Sequence, residues 1–437
     1  MLYHSTSGDS HHVDLFTALA TGVPGDNGLY LPDSLPVLPP ALFNNIAGMT
    51  LQDIAYVVAN SLFGNDIDSE TINSIVNRTF DFDIPLVRIE PDHYSLELFH
   101  GPTLAFKDVG ARFMTNMLSE LLRHIPSPTG KITVLAATSG DSGASIANSI
   151  AGRDDINAVI FYPKGKISRM QEKQIATYGG NIQAVEVRGS FDDCQMLVKQ
   201  LLNDKELCEK MPITSANSMN IAHLLGQVVT YFHGYARLSD IDPQKAAKMV
   251  FVIPSGNLGN LTAAVIAKRM GLPVRRFIAA TNANDTFMRY ISTGTYTPGR
   301  QMSTVANAMD VSDPYNFARL IELYGGDYDK LVSDISCFSC SDGDILTTIR
   351  DLYRSTGYLT DPHGAVTYFA MKRGLKRGET GVMLSPAHPA KFKTTIDAVL
   401  GQEIEMPRTL AQLSVKRLQK VTLPPNPLAV KEYLLIP

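Results

Sequence analysis

Phe99-His-Gly-Pro-Thr-Leu-Ala-Phe-Lys-Asp-Val-Gly-Ala-Arg-Phe113 joins the end of an apolar run to the start of an amphipathic helix. Gly101-Pro102 interrupts the run Leu96 to Phe99, because proline fixes φ and glycine permits a tight turn. Beyond it, apolar residues recur at the spacing of one helical face, at Phe106, Val109, Phe113, Met117 and Leu121. The pattern predicts a strand end followed by a helix, with Thr103 as the N-cap and Lys107 in the first turn.

Lys107 stands at an unfavourable place for a cation. The positive end of the helix dipole disfavours a positive charge there, and burial on the apolar face disfavours it further. Both effects lower the pKa of a lysine and leave a neutral amine that can form a Schiff base. When this stretch is taken alone, we favour a lysine that extends to solvent beside an ordinary first-turn acid, Asp108, because first-turn lysines are not rare.

Size and composition indicate a globular protein of two or three domains. The chain has 437 residues, of which 44% are hydrophobic and 19% charged. Its net charge of −4 gives no electrostatic reason to expect binding to nucleic acid or to an anionic membrane. The apolar runs are strand-sized, and the first ten residues lack the charged and apolar regions of a secretory signal. We therefore expect a cytoplasmic protein.

The four cysteines include one C-x-x-C pair, Cys337-Phe-Ser-Cys340. A zinc site usually needs four ligands, and neither a second C-x-x-C nor an H-x-x-x-H is present in the sequence. The pair precedes Ser341-Asp-Gly-Asp344, which we predict to be a turn rather than the helix that follows a redox motif. We expect incidental thiols and no metal.

Strands and helices alternate along most of the chain. We predict strands at 132–137, 158–162, 182–187, 249–253, 277–281 and 382–385, and helices at 11–21, 51–62, 144–151, 191–202, 221–238 and 261–270. Residues 125–130 read as a connector, and 254–260 as a loop. This alternation predicts an α/β fold with mostly parallel sheets that are covered by helices on both faces.

Two glycine-rich loops resemble each other. Ser139-Gly-Asp-Ser-Gly143 and Ser255-Gly-Asn-Leu-Gly259 both match S-G-[DN]-x-G-x-x-x-A, and each lies between a predicted strand and a predicted helix. Such loops aim several N–H groups at one point beside a helix N-terminus, which favours an anion. Gly259 is expected to need a small side chain and a free φ. Tight βα turns that need glycine for steric reasons are the alternative. Neither loop is a Walker A motif, so nucleotide binding is not favoured.

A primary amine and two anion sites together suit pyridoxal phosphate chemistry. The lysine would hold the aldehyde carbon, one loop the cofactor phosphate and the other the carboxylate of an amino acid. The chain is also similar to the threonine synthase family of bacteria and fungi in the opening segment Gly25-Asp-Asn-Gly28-Leu-Tyr-Leu-Pro32 and in four motifs that occur in the family's order. These are His100-Gly-Pro-Thr-Leu-Ala-Phe-Lys-Asp108, Ala137-Thr-Ser-Gly-Asp-Ser-Gly143, Pro254-Ser-Gly-Asn-Leu-Gly-Asn260 and Ala387-His-Pro-Ala-Lys-Phe392.

The resemblance implies a two-lobed, fold-type II pyridoxal phosphate enzyme, similar to the tryptophan synthase β subunit, with an N-terminal helical domain. It implies an N-terminal domain at 1–93, a large cofactor-binding domain at 94–125 and 216–437, and a smaller lobe at 126–215. The implied reaction converts O-phospho-L-homoserine and water to L-threonine and phosphate, the last step of threonine biosynthesis, by a lyase acting on a carbon–oxygen bond. We expect a monomer or a homodimer.

The resemblance also assigns cofactor-binding residues. Lys107 would be the Schiff-base lysine and would later take the α-proton. Ser385 would meet the pyridine nitrogen, and its neutral hydroxyl can donate a hydrogen bond to an unprotonated nitrogen. The cofactor phosphate would lie on Gly256, Asn257, Leu258, Gly259 and Asn260. Leu258 and Ser385 depart from the commoner Phe and Thr, yet each keeps the group that is needed, a backbone N–H or a hydroxyl.

The substrate-binding residues follow in the same way. Thr138, Ser139, Asp141 and Ser142 would face the substrate carboxylate, with Ser142 where Thr is commoner. Lys166 and Lys391 are candidates for the leaving phosphate, although a solvated surface charge is as good an explanation of each. Weaker candidates are Lys164, Ser168, Arg169, Asn217 and Asn282. For His388, between alanine and proline, we favour a packing or capping role over catalysis.

Other functions on the same scaffold remain alternatives. A threonine dehydratase, an O-acetylserine sulfhydrylase or a phospho-lyase that gives 2-oxobutyrate would also use a lysine and a glycine loop. Their loop motifs differ from those of this chain, and the N-terminal unit argues against the first two. A non-catalytic protein that retains the fold is a second class, against which Lys107 speaks.

Overall fold

The computed structural model describes residues 1–8, 12–124 and 130–435. Its strands are β1 Leu2–Ser5, β2 Val13–Asp14, β3 Tyr30–Pro32, β4 Leu86–Glu90, β5 His93–Glu97, β6 Ile132–Ala137, β7 Ile156–Pro163, β8 Ile182–Val187, β9 Ile213–Ser215, β10 Met249–Pro254, β11 Arg276–Thr281, β12 Ile335–Ser339, β13 Thr380–Ser385 and β14 Lys420–Leu423.

The α-helices are α1 Leu15–Thr21, α2 Pro40–Asn45, α3 Leu51–Phe63, α4 Ser69–Thr79, α5 Lys107–His124, α6 Asp141–Ile150, α7 Arg169–Ala176, α8 Phe191–Leu202, α9 Lys205–Lys210, α10 Ile221–Gly226, α11 Val228–Ile241, α12 Pro243–Ala246, α13 Gly259–Arg269, α14 Thr286–Thr293, α15 Phe317–Leu323, α16 Tyr328–Asp334, α17 Asp342–Thr356, α18 Pro362–Gly374, α19 Lys393–Leu400, α20 Arg408–Ser414 and α21 Pro427–Leu434. Short 3-10 helices occur at Ile46–Gly48, Asn307–Met309 and Pro389–Phe392.

The chain packs as two compact units. The first unit comprises Met1–Asp33, Lys107–His223 and Met406–Pro437, and the second comprises Ser34–Phe106 and Leu224–Glu405. These units are defined by packing alone. The division at 1–93, 94–125 with 216–437, and 126–215 that the sequence suggests therefore stays a prediction.

The first unit is built on a parallel sheet in the order β9-β6-β7-β8-β14. Val159, Phe161 and Val185 are buried in it and form a core with Leu197 and Val198 of α8. A small antiparallel sheet, β2-β1-β3, belongs to the same unit. Because β6, β7 and β9 run parallel, the segments that follow them begin at one edge of the large sheet.

The second unit contains a six-stranded sheet in the order β12-β11-β10-β13-β5-β4. All neighbouring pairs are parallel except β4 with β5. Val250, Val252 and Ile278 of this sheet are buried and pack against Ala370 and Met371 of α18. The loops after β10, β13 and β5 therefore begin at the same edge of this sheet.

Most of the predicted elements are confirmed, and three of them have the predicted bounds: β6, β8 and α8. The predicted helix at 221–238 is instead α10 and α11, separated at Gln227. The helix predicted at 11–21 begins at Leu15, because Val13–Asp14 pairs with β1, and its first position lies outside the described residues. Positions 125–129 of the predicted connector also lie outside them. No helix among the described residues is long and apolar enough to cross a membrane.

Candidate active site

Lys107 is the first residue of α5, in the first unit. The apolar face predicted for this helix is confirmed, since Val109, Phe113 and Met117 are almost fully buried. Thr103 is not the N-cap as we predicted, because it lies in a turn four residues before the helix begins. Burial lowers the pKa of Lys107 to about 8, and the negative charge of Asp141 opposes this shift.

His223 lies beside the same helix and was missed by the sequence analysis. A Cβ atom added to Gly110 of α5 would be 2.6 Å from the His223 ring, so glycine is required for the two to pack. Burial and then the positive charge of Lys107 lower the pKa of His223 to about 3. The imidazole is therefore neutral and adds no charge beside the lysine.

The loop after β6 is shaped by its own side chains. Thr138 is fully buried, and its Oγ1 accepts hydrogen bonds from the N–H groups of Gly140 at 2.9 Å and Gly143 at 2.8 Å. Gly140 has φ 137°, and a Cβ there would be 2.4 Å from the side chain of Gln171. Glycine is therefore required at 140 on both counts, and the loop has one well-defined conformation.

Asp141 opens α6 and is almost fully buried. Its Oδ1 accepts a hydrogen bond from Gln171 Nε2 at 3.0 Å, and Gln171 belongs to the capping box of α7 with Ser168. Ser139 and Ser142 flank it and are half-buried. A buried carboxylate would repel a second carboxylate, so the position of Asp141 suits a countercharge for Lys107 better than a contact with the substrate carboxylate.

Basic residues follow β7 at the same edge of the sheet. Lys166 and Arg169 are exposed, and Lys164 Nζ lies 3.9 Å from Glu186 Oε2. Ser168 caps α7 by accepting from the N–H of Gln171. Asn217, after β9, donates from Nδ2 to the carbonyl of Ala137 at 3.1 Å.

The second unit supplies the other glycine-rich loop, which follows β10 directly. Helix α13 begins at Gly259, so the predicted loop at 254–260 is shorter than expected. Among the described residues of this loop, Leu258 has a positive φ (59°). We expected the positive φ at Gly259 instead. Leu258 is buried and stands at the N-cap of α13 in the left-handed conformation. A left-handed residue at a helix N-terminus turns successive N–H groups towards one point, as an anion requires.

This loop has the properties of a ligand site. Within the described residues, Asn257 Oδ1 and Asn260 Nδ2 are buried and have no hydrogen-bond partner. A Cβ added to Gly256 would lie 2.9 Å from Met309 Cα, so the backbone at 307–309 covers the loop closely. Buried polar atoms without partners are costly. A phosphate ester can accept from Asn260 Nδ2, whereas Asn257 Oδ1 is itself an acceptor and needs a donor.

The backbone at 307–309 is itself fixed by a buried pair that the sequence analysis missed. The N–H of Ala308 donates to His363 Nε2 at 3.1 Å. His363 therefore carries its proton on Nδ1, which donates to Asp361 Oδ2 at 2.5 Å. The pair holds the segment that lies over Gly256.

Ser385 is the last residue of β13 and is almost fully buried. Its Oγ lies 2.7 Å from Ser95 Oγ and 3.4 Å from Tyr358 Oη. Tyr358 Oη is in turn 2.9 Å from Glu97 Oε1. Burial, and then the negative charge of Glu97, raise the pKa of Tyr358 well above its ordinary value. Because β13 neighbours β10, Ser385 and the loop after β10 lie at the same edge of the sheet.

The segment just before Lys107 is tied to the segment after β13. Phe106 N–H donates to the carbonyl of Pro386 at 2.7 Å, and His388 N–H to that of Leu104 at 3.0 Å. Lys391 is buried, and its Nζ donates to the carbonyl of Thr103 at 3.1 Å. His388 Nδ1 accepts from the N–H of Ala390, which confirms the capping role that we favoured.

Asn282 follows β11, and its side chain stabilises the second unit through hydrogen bonds. Its Nδ2 donates to Thr304 Oγ1 at 2.8 Å and to Asp310 Oδ1 at 2.8 Å. Burial raises the pKa of Asp310 to about 6, although hydrogen bonds from Thr304 and Asn282 to its carboxylate act to lower it. The amide thus holds the segment 304–310 rather than a ligand.

The cysteines take no part in the candidate site. All four are free thiols. The predicted turn after Cys340 is wrong, because Ser341 caps α17, which begins at Asp342. Among the described residues no cluster of His, Cys, Asp or Glu could hold a metal ion.

Comparisons with known proteins identify the family of the chain. The chain matches the family model of pyridoxal-phosphate dependent enzymes over residues 88–386. It also matches models of the threonine synthase N terminus over 2–80 and of the C-terminal region over 364–434.

Individual relatives extend over almost the whole chain. The threonine synthase of Haemophilus influenzae is 43% identical over 396 residues, 90% of each chain. The crystal structure of threonine synthase from Escherichia coli is 38% identical with a TM-score of 0.93, covering 100% of this chain and 99% of that one. A pyridoxal phosphate-bound threonine synthase from Brucella melitensis is 31% identical with a TM-score of 0.90, covering 99% and 98%. The chain therefore belongs to the threonine synthase family of pyridoxal phosphate-dependent enzymes.

Proposed function

We propose that this enzyme converts O-phospho-L-homoserine and water to L-threonine and phosphate. The family assignment supports the reaction. The observation that carries it is a buried lysine of lowered pKa at the N-terminus of α5, directly after a segment that is hydrogen-bonded to the residues following β13.

We propose the following roles for the cofactor-binding residues. Lys107 Nζ forms the bond to the aldehyde carbon, because a pKa of about 8 leaves part of the amine neutral at physiological pH. The loop at 256–260, Asn257 included, binds the phosphate through backbone N–H groups, and the buried Nδ2 of Asn260 adds a side-chain donor. Ser385 faces the pyridine nitrogen. When bound, pyridoxal phosphate supplies the electron sink for the negative charge that develops on the substrate.

The proton transfers are assigned to Lys107. Its neutral amine would take the proton from Cα of the bound substrate. A proton then leaves Cβ, the γ-phosphate departs, Cγ is protonated, water adds at Cβ and a proton returns to Cα. Lys107 and the departing phosphate are the two groups that can carry these later protons. His223 is a neutral imidazole, because its pKa is lowered to about 3, and it therefore supplies no imidazolium to act as a general acid.

The hydrogen bonds and burial of the predicted substrate-binding residues change the roles that we propose for some of them. Ser139 and Ser142, half-buried in the loop after β6, stay proposed ligands of the substrate carboxylate. Thr138 is instead proposed to hold the loop, and Asp141 to act as the countercharge of Lys107. Lys166 is proposed for the leaving phosphate because its ammonium is exposed. Lys391 is also proposed for the leaving phosphate. Its hydrogen bond to the carbonyl of Thr103 gives it a structural role as well.

Product analysis tests the function. Purified enzyme supplied with O-phosphohomoserine should release threonine and phosphate in equal amounts. A phospho-lyase would release 2-oxobutyrate and ammonia with the phosphate instead. A protein that binds pyridoxal phosphate and releases neither set of products would be the non-catalytic alternative.

Asp141→Asn should move the pH dependence of cofactor attachment. The negative charge of Asp141 raises the pKa of Lys107, so its removal lowers that pKa further. The neutral amine is the reactive form and is lost as the pH falls through the pKa. The rate at which the apoenzyme takes up pyridoxal phosphate should therefore show an inflection near pH 8 in the wild type and at lower pH in the variant. Asp154→Asn, at an exposed position of the same unit, is the control, and equal profiles for all three proteins would contradict the assignment.

The enzyme acts on a small molecule, and we propose a monomer or a homodimer that has no nucleic acid or membrane among its partners. We also propose the cytoplasm as its compartment. The free thiols at Cys194, Cys208, Cys337 and Cys340 suit a reducing environment.

A further inference from the structure

The side chain of Asn260, in the first turn of α13, is joined to a tyrosine of another helix of the second unit. Tyr231 of α11 is fully buried, and its Oη lies 2.5 Å from Asn260 Oδ1 and 2.8 Å from the Asn260 carbonyl oxygen. Helix α11 packs against α13, and the Tyr231 ring meets the Phe251 ring of β10 edge-on, with 5.1 Å between the ring centres. The strand before the loop at 256–260 and the helix after it therefore both fix the position of this hydroxyl.

The short contact identifies which atom of the Asn260 amide faces the tyrosine. A distance of 2.5 Å is within the range of an O–H···O hydrogen bond and shorter than that of an N–H···O bond. The phenol keeps its proton, because burial raises the pKa of Tyr231 well above its ordinary value. The Asn260 carbonyl, at 2.8 Å, has another donor in the N–H four residues further along the helix. Tyr231 therefore donates to Oδ1, and Nδ2 is turned away from it.

The other polar atom of this amide, Nδ2, is a buried donor at the start of a helix. It has no hydrogen-bond partner within the part of the chain that the structure describes. The first N–H groups of α13 lie at the same helix end, and a helix supplies no acceptor for them. Leu258, left-handed at the N-cap, turns such N–H groups towards one point. An anion bound there can accept from the backbone and from Asn260 Nδ2 together.

The opposite orientation of the amide would not suit an anion. Rotating the amide by half a turn would put Oδ1, which can only accept, in the place of Nδ2. An amide oxygen beside a phosphate repels it. The rotation would also put a nitrogen 2.5 Å from Tyr231 Oη, closer than the geometry of an N–H···O bond allows. The hydroxyl of Tyr231 thus decides whether Asn260 presents a donor or an acceptor at this helix end.

We propose that Tyr231 is a positioning residue for the cofactor phosphate, because its hydroxyl fixes the Asn260 amide with Nδ2 available to the anion. The inference rests on the proposed binding of that phosphate by the loop at 256–260. Tyr231 acts through Asn260 and needs no contact of its own with the cofactor. Its effect on binding should therefore depend both on the phosphate group of the ligand and on the presence of Asn260.

The binding of pyridoxal phosphate and of pyridoxal to the apoenzyme tests the proposal. Both aldehydes can react with Lys107, and they differ in the phosphate group. Tyr231→Phe keeps the buried ring and removes only the hydroxyl. It should bind pyridoxal phosphate about tenfold more weakly than the wild type, as for the loss of a hydrogen bond to a charged group, and bind pyridoxal equally well. Asn260→Ala should show a loss of similar size that is also confined to pyridoxal phosphate.

A double variant shows whether the tyrosine acts through the asparagine. If it does, Tyr231→Phe adds nothing to Asn260→Ala, and the double variant binds pyridoxal phosphate as weakly as Asn260→Ala alone. Tyr324→Phe is the matched control, and it should bind both compounds as the wild type does. Tyr324 is a buried tyrosine that donates to Asp334 Oδ2 at 2.7 Å, and its ring lies beside Arg269 at the other end of α13.

Three results would overturn the proposal. The first is a Tyr231→Phe variant that binds pyridoxal phosphate no more weakly than Tyr324→Phe does. The second is a Tyr231→Phe variant that loses affinity for pyridoxal to the same extent. The third is a double variant whose loss is the product of the two single losses. A wild-type apoenzyme that prefers pyridoxal phosphate to pyridoxal but takes the preference unchanged into Asn260→Ala would overturn it as well. A wild type that takes up neither compound would instead overturn the proposed function itself.

Discussion

Lys107→Ala should abolish covalent attachment of the cofactor and reduce turnover by about 10³-fold or more, as for loss of a nucleophile that also serves as the general base. The lysine begins α5 where both the helix dipole and burial disfavour a cation, and its pKa is lowered to about 8. Removing a cation from such a place should not weaken folding. Borohydride reduction followed by peptide mapping should find the cofactor on Lys107 in the wild type and on no peptide of the variant.

Two further measurements sharpen this test. An added small amine should restore part of the turnover of Lys107→Ala, because it can replace the missing nucleophile and base. Lys199→Ala, at an exposed position of α8 in the same unit, should keep both attachment and turnover. A reduced adduct on any other lysine of the wild type would contradict the assignment.

The helices and strands that could be predicted are those whose sequence pattern lies within one continuous segment of the chain. Strands β6 and β8 are short apolar runs, and α8 opens with a serine that accepts from the N–H of Asp193, as an N-cap should. The two glycine-rich loops were found for the same reason, since strand, loop and helix are consecutive. Lys107 was found because the pattern that puts it in the first turn of an apolar helix lies within its own segment.

The hydrogen bonds that join Ser385, Ser95, Tyr358 and Glu97 could not be predicted, because they depend on the register between distant strands. Ser385 pairs with Glu97 across β13 and β5, and the two segments are almost 300 residues apart. A weak signal existed in Ser95-Leu-Glu97, where two polar residues alternate with a leucine and so face the same side of a strand. It indicates a polar face but not the partner that meets it.

The left-handed residue of the loop at 256–260 was misplaced for a different reason. Glycine is the residue that adopts a positive φ most easily, so the sequence pointed to Gly259. The structure gives the positive φ to Leu258, whose buried side chain offsets the cost of about 1–2 kcal/mol that this conformation carries. The glycine that packing requires is Gly256, which is covered by a segment about fifty residues further along the chain.

Gly256→Val should weaken cofactor binding by about 10- to 100-fold while the protein still folds. A Cβ at 256 would lie 2.9 Å from Met309 Cα and 3.5 Å from the carbonyl of Ala308, and neither backbone atom can turn aside as a flexible side chain would. The loop must then move, with a cost of about 1–3 kcal/mol, and every 1.4 kcal/mol of that cost borne by binding is a factor of ten in affinity. Gly256→Ala should show a smaller effect in the same direction.

The measurement is cofactor retention after dialysis, compared with the thermal unfolding temperature of the apoprotein. Gly343→Val is the matched control, because the nearest atom to a Cβ there is 3.8 Å away and the position lies in α17 of the same unit. We expect Gly343→Val to retain the cofactor fully. If Gly256→Val retains it as well, the loop at 256–260 does not bind the cofactor phosphate. If the apoprotein of Gly256→Val unfolds at a much lower temperature and Gly256→Ala retains the cofactor, the contact with Met309 supports the fold rather than the binding site.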